Sequence, residues 1–363
     1  MINKSNPFFN LSPITAGLVL IVVFLTALYG VIVYNPLPPG PVQNRPQGED
    51  LRCYRAIIER ISSGEGYYQA AEIELRKRGY PLRSVFNWRL PMLAWLMGHL
   101  PEIYWGQALG AVLAIITFMI WIGVLDRVFS FVYVLIGSLL MLSAPIYSFL
   151  PGIFLAHEFW AGTCIALSLG AYARGWPFLA ITSGLLALFI RELALPFVGI
   201  MLVLSYIERR RFETILWLMG LGVFACVFLV HWSIVTDLIK EGDQALEGGW
   251  IVFGGWQFVL STAQMQPYLF MGDPWITAIV LPLVVLGLAG WRDPIWLRMT
   301  LTVYVYLFAF LIVGKPFNRY WGFMYTNILL LGILNAPLSL YALWSSICKT
   351  PTAKRIPVSF ILF

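Results

Sequence analysis

The sequence predicts an all-α fold, a polytopic membrane helix bundle of about ten transmembrane helices in one domain spanning residues 1–363, and three observations support this. Apolar residues make up 60% of the 363-residue chain and charged residues 12%, against roughly 25% charged in a soluble domain; mean hydropathy is +0.78. Stretches without Asp, Glu, Lys, Arg or His recur at near-bilayer length, at Ile14 to Tyr34, Ile103 to Leu125, Val128 to Ala156 and Tyr320 to Cys348. No period of 20 to 50 residues repeats and nothing is low-complexity, which leaves a single domain.

Along the chain, spans are expected near 14–34, 103–125, 128–149, 154–174, 177–190, 193–207, 214–236, 274–291, 297–314 and 320–345. The first follows Lys4, is longer than a signal-peptide core and lacks a small-residue cleavage pattern before Asn35-Pro36, so it is expected to remain as an anchor. With the N-terminus inside, the inner connections are Asp126-Arg127, Arg174, Glu208 to Arg211, Trp291-Arg292-Asp293 and the tail with Lys349, Lys354 and Arg355. Their excess of Lys and Arg fits the positive-inside rule. The same count collects the 35–102 loop, His157-Glu158, Arg191-Glu192, the 237–273 loop and the Lys315 to Arg319 turn on the outer face.

The first outer loop opens with a proline-rich turn from Asn35 to Pro41 and changes character at Gly48-Glu49-Asp50. Leu51, Tyr54, Ile57, Ile58 and Ile61 then recur at helical spacing, with Arg52, Arg55 and Glu59 on the other faces, which predicts an amphipathic helix on the membrane surface. Ser62-Ser63-Gly64 breaks it, and a second amphipathic piece runs from about Tyr67 to Arg78, ending in Arg76-Lys77-Arg78 before Gly79-Tyr80-Pro81.

Four cysteines (Cys53, Cys164, Cys226, Cys348) show no CxxC spacing, so neither a thiolate metal site nor a disulfide framework is indicated. The net charge of +6 comes with no nucleic-acid recognition motif, and its basic residues lie in loops between spans. Membrane lipids or phosphates, not nucleic acid, are the expected partners.

Several charges call for an explanation, because ionisable groups at membrane depth are functional candidates by default. The predicted spans 177–190 and 193–207 are shorter than the roughly 17 to 25 residues that cross hydrocarbon, so Arg191-Glu192 dips toward the membrane. That pair either holds two helix ends or meets substrate. Asp50 stands at the start of the first surface helix, where it serves as a helix N-cap, as a proton acceptor, or as both. His157-Glu158 interrupts an apolar helix; adjacent helical residues diverge by about 100°, so both cannot face lipid cheaply. Lys315 and Arg319 bracket a Pro-Phe-Asn turn on the face where the positive-inside rule disfavours them. Both either bind phosphate or snorkel to headgroups, and Arg89 in Asn87-Trp-Arg-Leu-Pro91 has the same two readings. His99 and His231 read as interfacial or packing histidines.

Glu49-Asp50, Tyr54, Gly64-x-Gly-Tyr-Tyr68, Arg89-Leu-Pro91 and the Leu93 to Leu96 helix together resemble the lipid-linked-sugar glycosyltransferases of the GT-C superfamily. Their pattern is an acidic pair, a Tyr four residues on, a Gly-x-x-Tyr turn and a proline-led helix. His157-Glu158 is similar to their second acidic motif, and the Arg319 region to their late basic phosphate contact. The resemblance covers about residues 1 to 200 and rests on short motifs. It looks closest to compact bacterial mannosyltransferase-like members; a soluble C-terminal domain and an Asp-x-Asp or Asp-x-Glu motif are missing, so no cofactor and no divalent metal is expected.

The resemblance implies an inverting transferase in the bacterial inner membrane, with its site facing outward. It would move a sugar from a polyprenyl-phosphate donor to the hydroxyl of a glycan or lipid acceptor. Asp50 would be the base, with His157 and Glu158 positioning it or the acceptor. Substrate contacts would come from Arg319, Lys315, Arg191, Glu192, Arg89, Tyr54 and Glu49. Two other classes stay open: an acyltransferase of exported glycans, centred on His157 or His99, and a secondary transporter, which would place charges near the midplane and show inverted repeats.

Overall fold

The computed structural model describes residues 6–33, 48–246, 249 and 251–348. Lys4, the Asn35 to Pro41 turn and the tail residues Lys349, Lys354 and Arg355 lie outside the described residues. The described chain is helical with no strand, and six of its helices are long and apolar enough to cross a membrane. The protein is a multi-pass membrane protein.

The first such helix is α1 (Pro13–Val33), and the first loop then supplies α2 (Glu49–Ser62), α3 (Tyr67–Lys77) and α4 (Pro91–Gly98). The chain continues through α5 (Tyr104–Leu125), α6 (Phe131–Leu140), α7 (Ser143–Ser148), α8 (His157–Arg174), α9 (Pro177–Ile190), α10 (Leu195–Ile207) and α11 (Arg211–Leu238). Two short helices, α12 (Gly255–Ala263) and α13 (Pro267–Met271), precede α14 (Pro274–Ala289), α15 (Pro294–Ile312), α16 (Phe323–Leu329) and α17 (Ala336–Ile347). Helices occupy every segment expected to span, but two of those segments are interrupted. Pro145 and Pro337 lack the N–H that a continuous helix would need, so 128–149 divides into α6 and α7, and the last segment passes through a 3-10 turn at Leu330–Asn335. There Asn335 Nδ2 donates to the Gly287 carbonyl at 2.9 Å, tying the irregular turn to α14.

Helix α8 is the axis of the fold. Every residue from His157 to Ala171 is buried, and the helix packs against α9, α16 and α5. Gly162 makes the α16 contact close: a Cβ there would lie 1.9 Å from the Phe323 carbonyl oxygen. A helix with no lipid-facing surface can carry polar side chains only if other helices satisfy them, and α8 carries them at both ends.

The first-loop helices fold onto this core. Amphipathic α2 buries Cys53, Ile57, Ile58 and Ile61, packs on α3 and α4, and meets the turn at Ile153–Leu155 just before α8. Gly64, with φ +96°, makes the expected break after α2. The N-cap reading of Asp50 is corrected. Gly48, in a left-handed conformation, occupies the cap and no side chain bonds there, while the Asp50 carboxylate turns to accept a hydrogen bond from the Tyr80 hydroxyl.

Candidate active site

Four elements meet at the start of α8. Glu158 is 1% exposed, and its Oε1 accepts from Arg191 Nε at 2.6 Å and lies 3.8 Å from Arg89 Nη2. Arg191, in the connection between α9 and α10, also bonds Glu192 through Nη1. Burying such charges is tolerable only because each is answered within the cluster.

Arg89 arrives from the loop before α4 and links the cluster to two tyrosines. Its Nε donates to the Tyr54 hydroxyl at 2.9 Å, Nη2 to the Tyr320 hydroxyl at 3.2 Å, and Nη1 to the Phe86 carbonyl at 3.1 Å. The Arg89 carbonyl in turn accepts from the Tyr67 hydroxyl. At 8% exposure Arg89 does not reach headgroups, so the snorkelling reading of this residue is corrected. Burial pushes the Tyr54 phenol well above its ordinary range, against the pull of Arg89, so it stays a neutral hydroxyl at physiological pH.

Asp50 belongs to the same neighbourhood. Its charge acts on Tyr54, Arg89 and Tyr320, the same three groups on which Glu158 acts. Of Asp50, Glu158 and Glu192, Asp50 alone has no guanidinium within salt-bridge distance among the described residues. His157 is 2% exposed, packs edge-on against Tyr54 with ring centroids 5.1 Å apart, and has no hydrogen-bond partner on either ring nitrogen among the described residues. A neutral imidazole has one donor and one acceptor, and leaving buried polar atoms unpaired is destabilising by about 1–3 kcal/mol each. The crevice that His157 lines with Tyr54, Tyr67, Asn87 and Arg89 has a volume of about 10 Å³, enough for one water.

No family model, curated protein or solved structure matches the chain.

The structure therefore groups Asp50, Tyr54, Arg89, His157, Glu158, Arg191 and Glu192. Glu49, His99 and His231 have contacts of their own. Glu49 is taken by Arg78 at 2.9 Å and lies 3.9 Å from Arg52, so one member of the acidic pair is committed to holding the first loop. Lys315 and Arg319 stand on the same 3-10 segment, Pro316–Gly322 and its cap, as Tyr320. Arg319 is half-buried, acts electrostatically on Tyr147, and forms no salt bridge among the described residues. His99 packs at a tilt against Trp95 and bonds its carbonyl. His231 bridges the Tyr68 hydroxyl and the Trp88 carbonyl, a packing role.

Tyr320 and Tyr80 are the members that sequence reading missed, since both look like ordinary interfacial tyrosines. Among the described residues no three His, Cys, Asp or Glu side chains converge as metal ligands would.

Proposed function

We propose that the protein is an inverting glycosyltransferase that moves a sugar from a polyprenyl-phosphate donor to an acceptor hydroxyl. About ten helices would cross a bacterial inner membrane and open the site outward, with the first loop and the 237–273 loop on that side. The observation that carries the reading is the contrast between two nearby carboxylates. Glu158 is held by guanidinium groups, whereas Asp50 is held by a tyrosine hydroxyl alone among its described hydrogen-bond partners. A carboxylate with a free oxygen lone pair can take a proton; one clamped by arginines orients its neighbours.

In this mechanism the acceptor oxygen attacks the anomeric carbon while Asp50 takes its proton. The bond from that carbon to the phosphate oxygen breaks, inverting the centre, and the polyprenyl phosphate leaves with the bonding electrons. Arg319 and Lys315 receive the charge growing on the phosphate. Arg191 and Arg89, occupied with Glu158, keep that carboxylate and the two tyrosines in place.

The test is Asp50→Asn in purified protein supplied with a polyprenyl phosphosugar. Transfer falls by about 10²–10⁴ while thermal unfolding is unchanged; transfer at the original rate rejects Asp50 as the base. The unpartnered His157 favours a second reading, acyl transfer to an exported glycan with His157 as base. Under that reading His157→Gln removes activity and Asp50→Asn spares it.

A further inference from the structure

A groove separate from the contacts around Glu158 lies between the segment 83–86 and the last turns of α11. It has a volume of about 170 Å³ and is lined by Arg83, Ser84, Val85, Phe86, Trp232, Val235, Thr236 and Ile239. The crevice beside His157 has about 10 Å³, so the groove is the place of the two where a ligand finds room. Its position is fixed from both sides: Arg83 Nη2 donates to the Glu241 carbonyl at 2.9 Å and Arg83 N to the Gln244 carbonyl at 3.3 Å, while His231 bonds the Trp88 carbonyl.

The lining divides by chemistry. Val85 and Val235 form a buried floor, and Phe86 and Trp232 are exposed aromatic walls at 41% and 49%. At the rim Arg83 forms no salt bridge among the described residues, and its one side-chain bond, to a backbone carbonyl, leaves guanidinium N–H groups for an anion. Trp232 and its neighbours belong to a helix long and apolar enough to lie in the bilayer, where an aromatic residue near a helix end takes the headgroup level.

We propose that this groove holds one anionic glycerophospholipid of the surrounding leaflet, its phosphate on Arg83 and the start of its chains against Phe86, Trp232 and Ile239. An uncharged lipid leaves the guanidinium unanswered, and a free anion leaves the aromatic walls wet; only an anion joined to an apolar chain matches both. The site also touches the candidate active centre, because Phe86 lines the groove and its carbonyl accepts from Arg89. Lipid binding thereby stiffens the support of Arg89. The inference does not depend on which reaction the protein performs.

Native mass spectrometry of the full chain, released from detergent with added phosphatidylglycerol, phosphatidylcholine or a polyprenyl phosphate, tests this. Wild type retains one phosphatidylglycerol in preference to phosphatidylcholine. Arg83→Gln binds phosphatidylglycerol about tenfold more weakly and loses the preference, as expected for one charge-assisted hydrogen-bonding group. Thr236→Trp, at an exposed position, fills the groove and lowers retention of both phospholipids, with an unchanged thermal transition reporting that the fold is intact. Wild-type retention in both variants overturns the proposal. So does a site that takes polyprenyl phosphate and excludes phosphatidylglycerol. Loss of sugar transfer has no bearing on either outcome, so the two proposals fail separately.

Discussion

Both ends of α8 carry buried ionic groups, yet they are finished differently. At the end opposite Glu158, Arg298 of α15 donates to Glu208 at 2.6 Å and lies 4.9 Å from the centre of the Tyr172 ring. Tyr172 donates to Glu213 at 3.0 Å and accepts from Trp217 at 3.1 Å, while Arg210 bridges Glu213 and Glu208 at 3.0 and 2.9 Å. Among the described residues, the unpaired ionic atoms at that end are one Nε on Arg298 and one on Arg174. At the Glu158 end an entire imidazole is unpaired and Asp50 has no guanidinium within salt-bridge distance, among the described residues. Buried charge alone does not mark a functional site, because packing between helices uses it too. Incomplete pairing is the better marker, since it leaves groups that a substrate can answer.

That comparison can be broken by mutation, beginning with Glu158. Glu158→Gln leaves two buried guanidinium groups without their shared anion, and a loss of about 3–5 kcal/mol in unfolding free energy is expected, together with activity. Arg298→Met at the opposite end costs about 1–2 kcal/mol and leaves activity intact, because Glu208 keeps Arg210 and its side chain is 25% exposed to solvent. Denaturant unfolding in a fixed detergent measures both. Equal losses would remove the distinction between the two ends.

His157→Phe sharpens the same point with a smaller effect on stability. Replacing an unpartnered imidazole by an apolar ring of similar shape removes two unsatisfied polar atoms, so unfolding free energy changes by less than about 1 kcal/mol or rises. Activity nevertheless falls at least about 100-fold if the ring nitrogens meet substrate. A large loss of stability would instead mean that His157 has a structural partner.

The sequence revealed the long apolar helices and the two amphipathic helices of the first loop because both are written in local periodicity. It singled out His157, Glu158 and Arg89, which the structure buries, because a charge in an apolar run has few explanations. Tyr320 and Tyr80 were illegible: a tyrosine that bonds a buried arginine and one that faces headgroups have the same local context. The partners of the basic run at 76–78 were illegible for a related reason. Arg78 is engaged by Glu74 and Glu49, and Arg76 by Glu72 and by Asp243, 167 positions away, so these arginines hold loops together and are not left for phosphate or headgroups. Pairing across such separations has no signature within a window of neighbouring residues.

The Arg76 contact gives the mildest of the expected effects, and it concerns the outer layer rather than either end of α8. Arg76 bonds both carboxylate oxygens of Asp243 and the Leu238 carbonyl, fastening the loop after α11 to α3. The Arg76 hydrogen bonds hold the Asp243 carboxyl below its ordinary range despite partial desolvation. A folded-state value below the unfolded one of about 3.9 means the contribution is complete above that pH and is lost as pH falls through the folded value. Hydrogen exchange over residues 238–246 should therefore show steady protection from pH 7 to about 5 and a loss below about 4. In Arg76→Gln protection is already reduced at pH 7 and the acid step shrinks. A full step in that variant would assign the acid response to another carboxylate, and Glu72, which Arg76 and Lys240 hold low against desolvation, would be the next to replace.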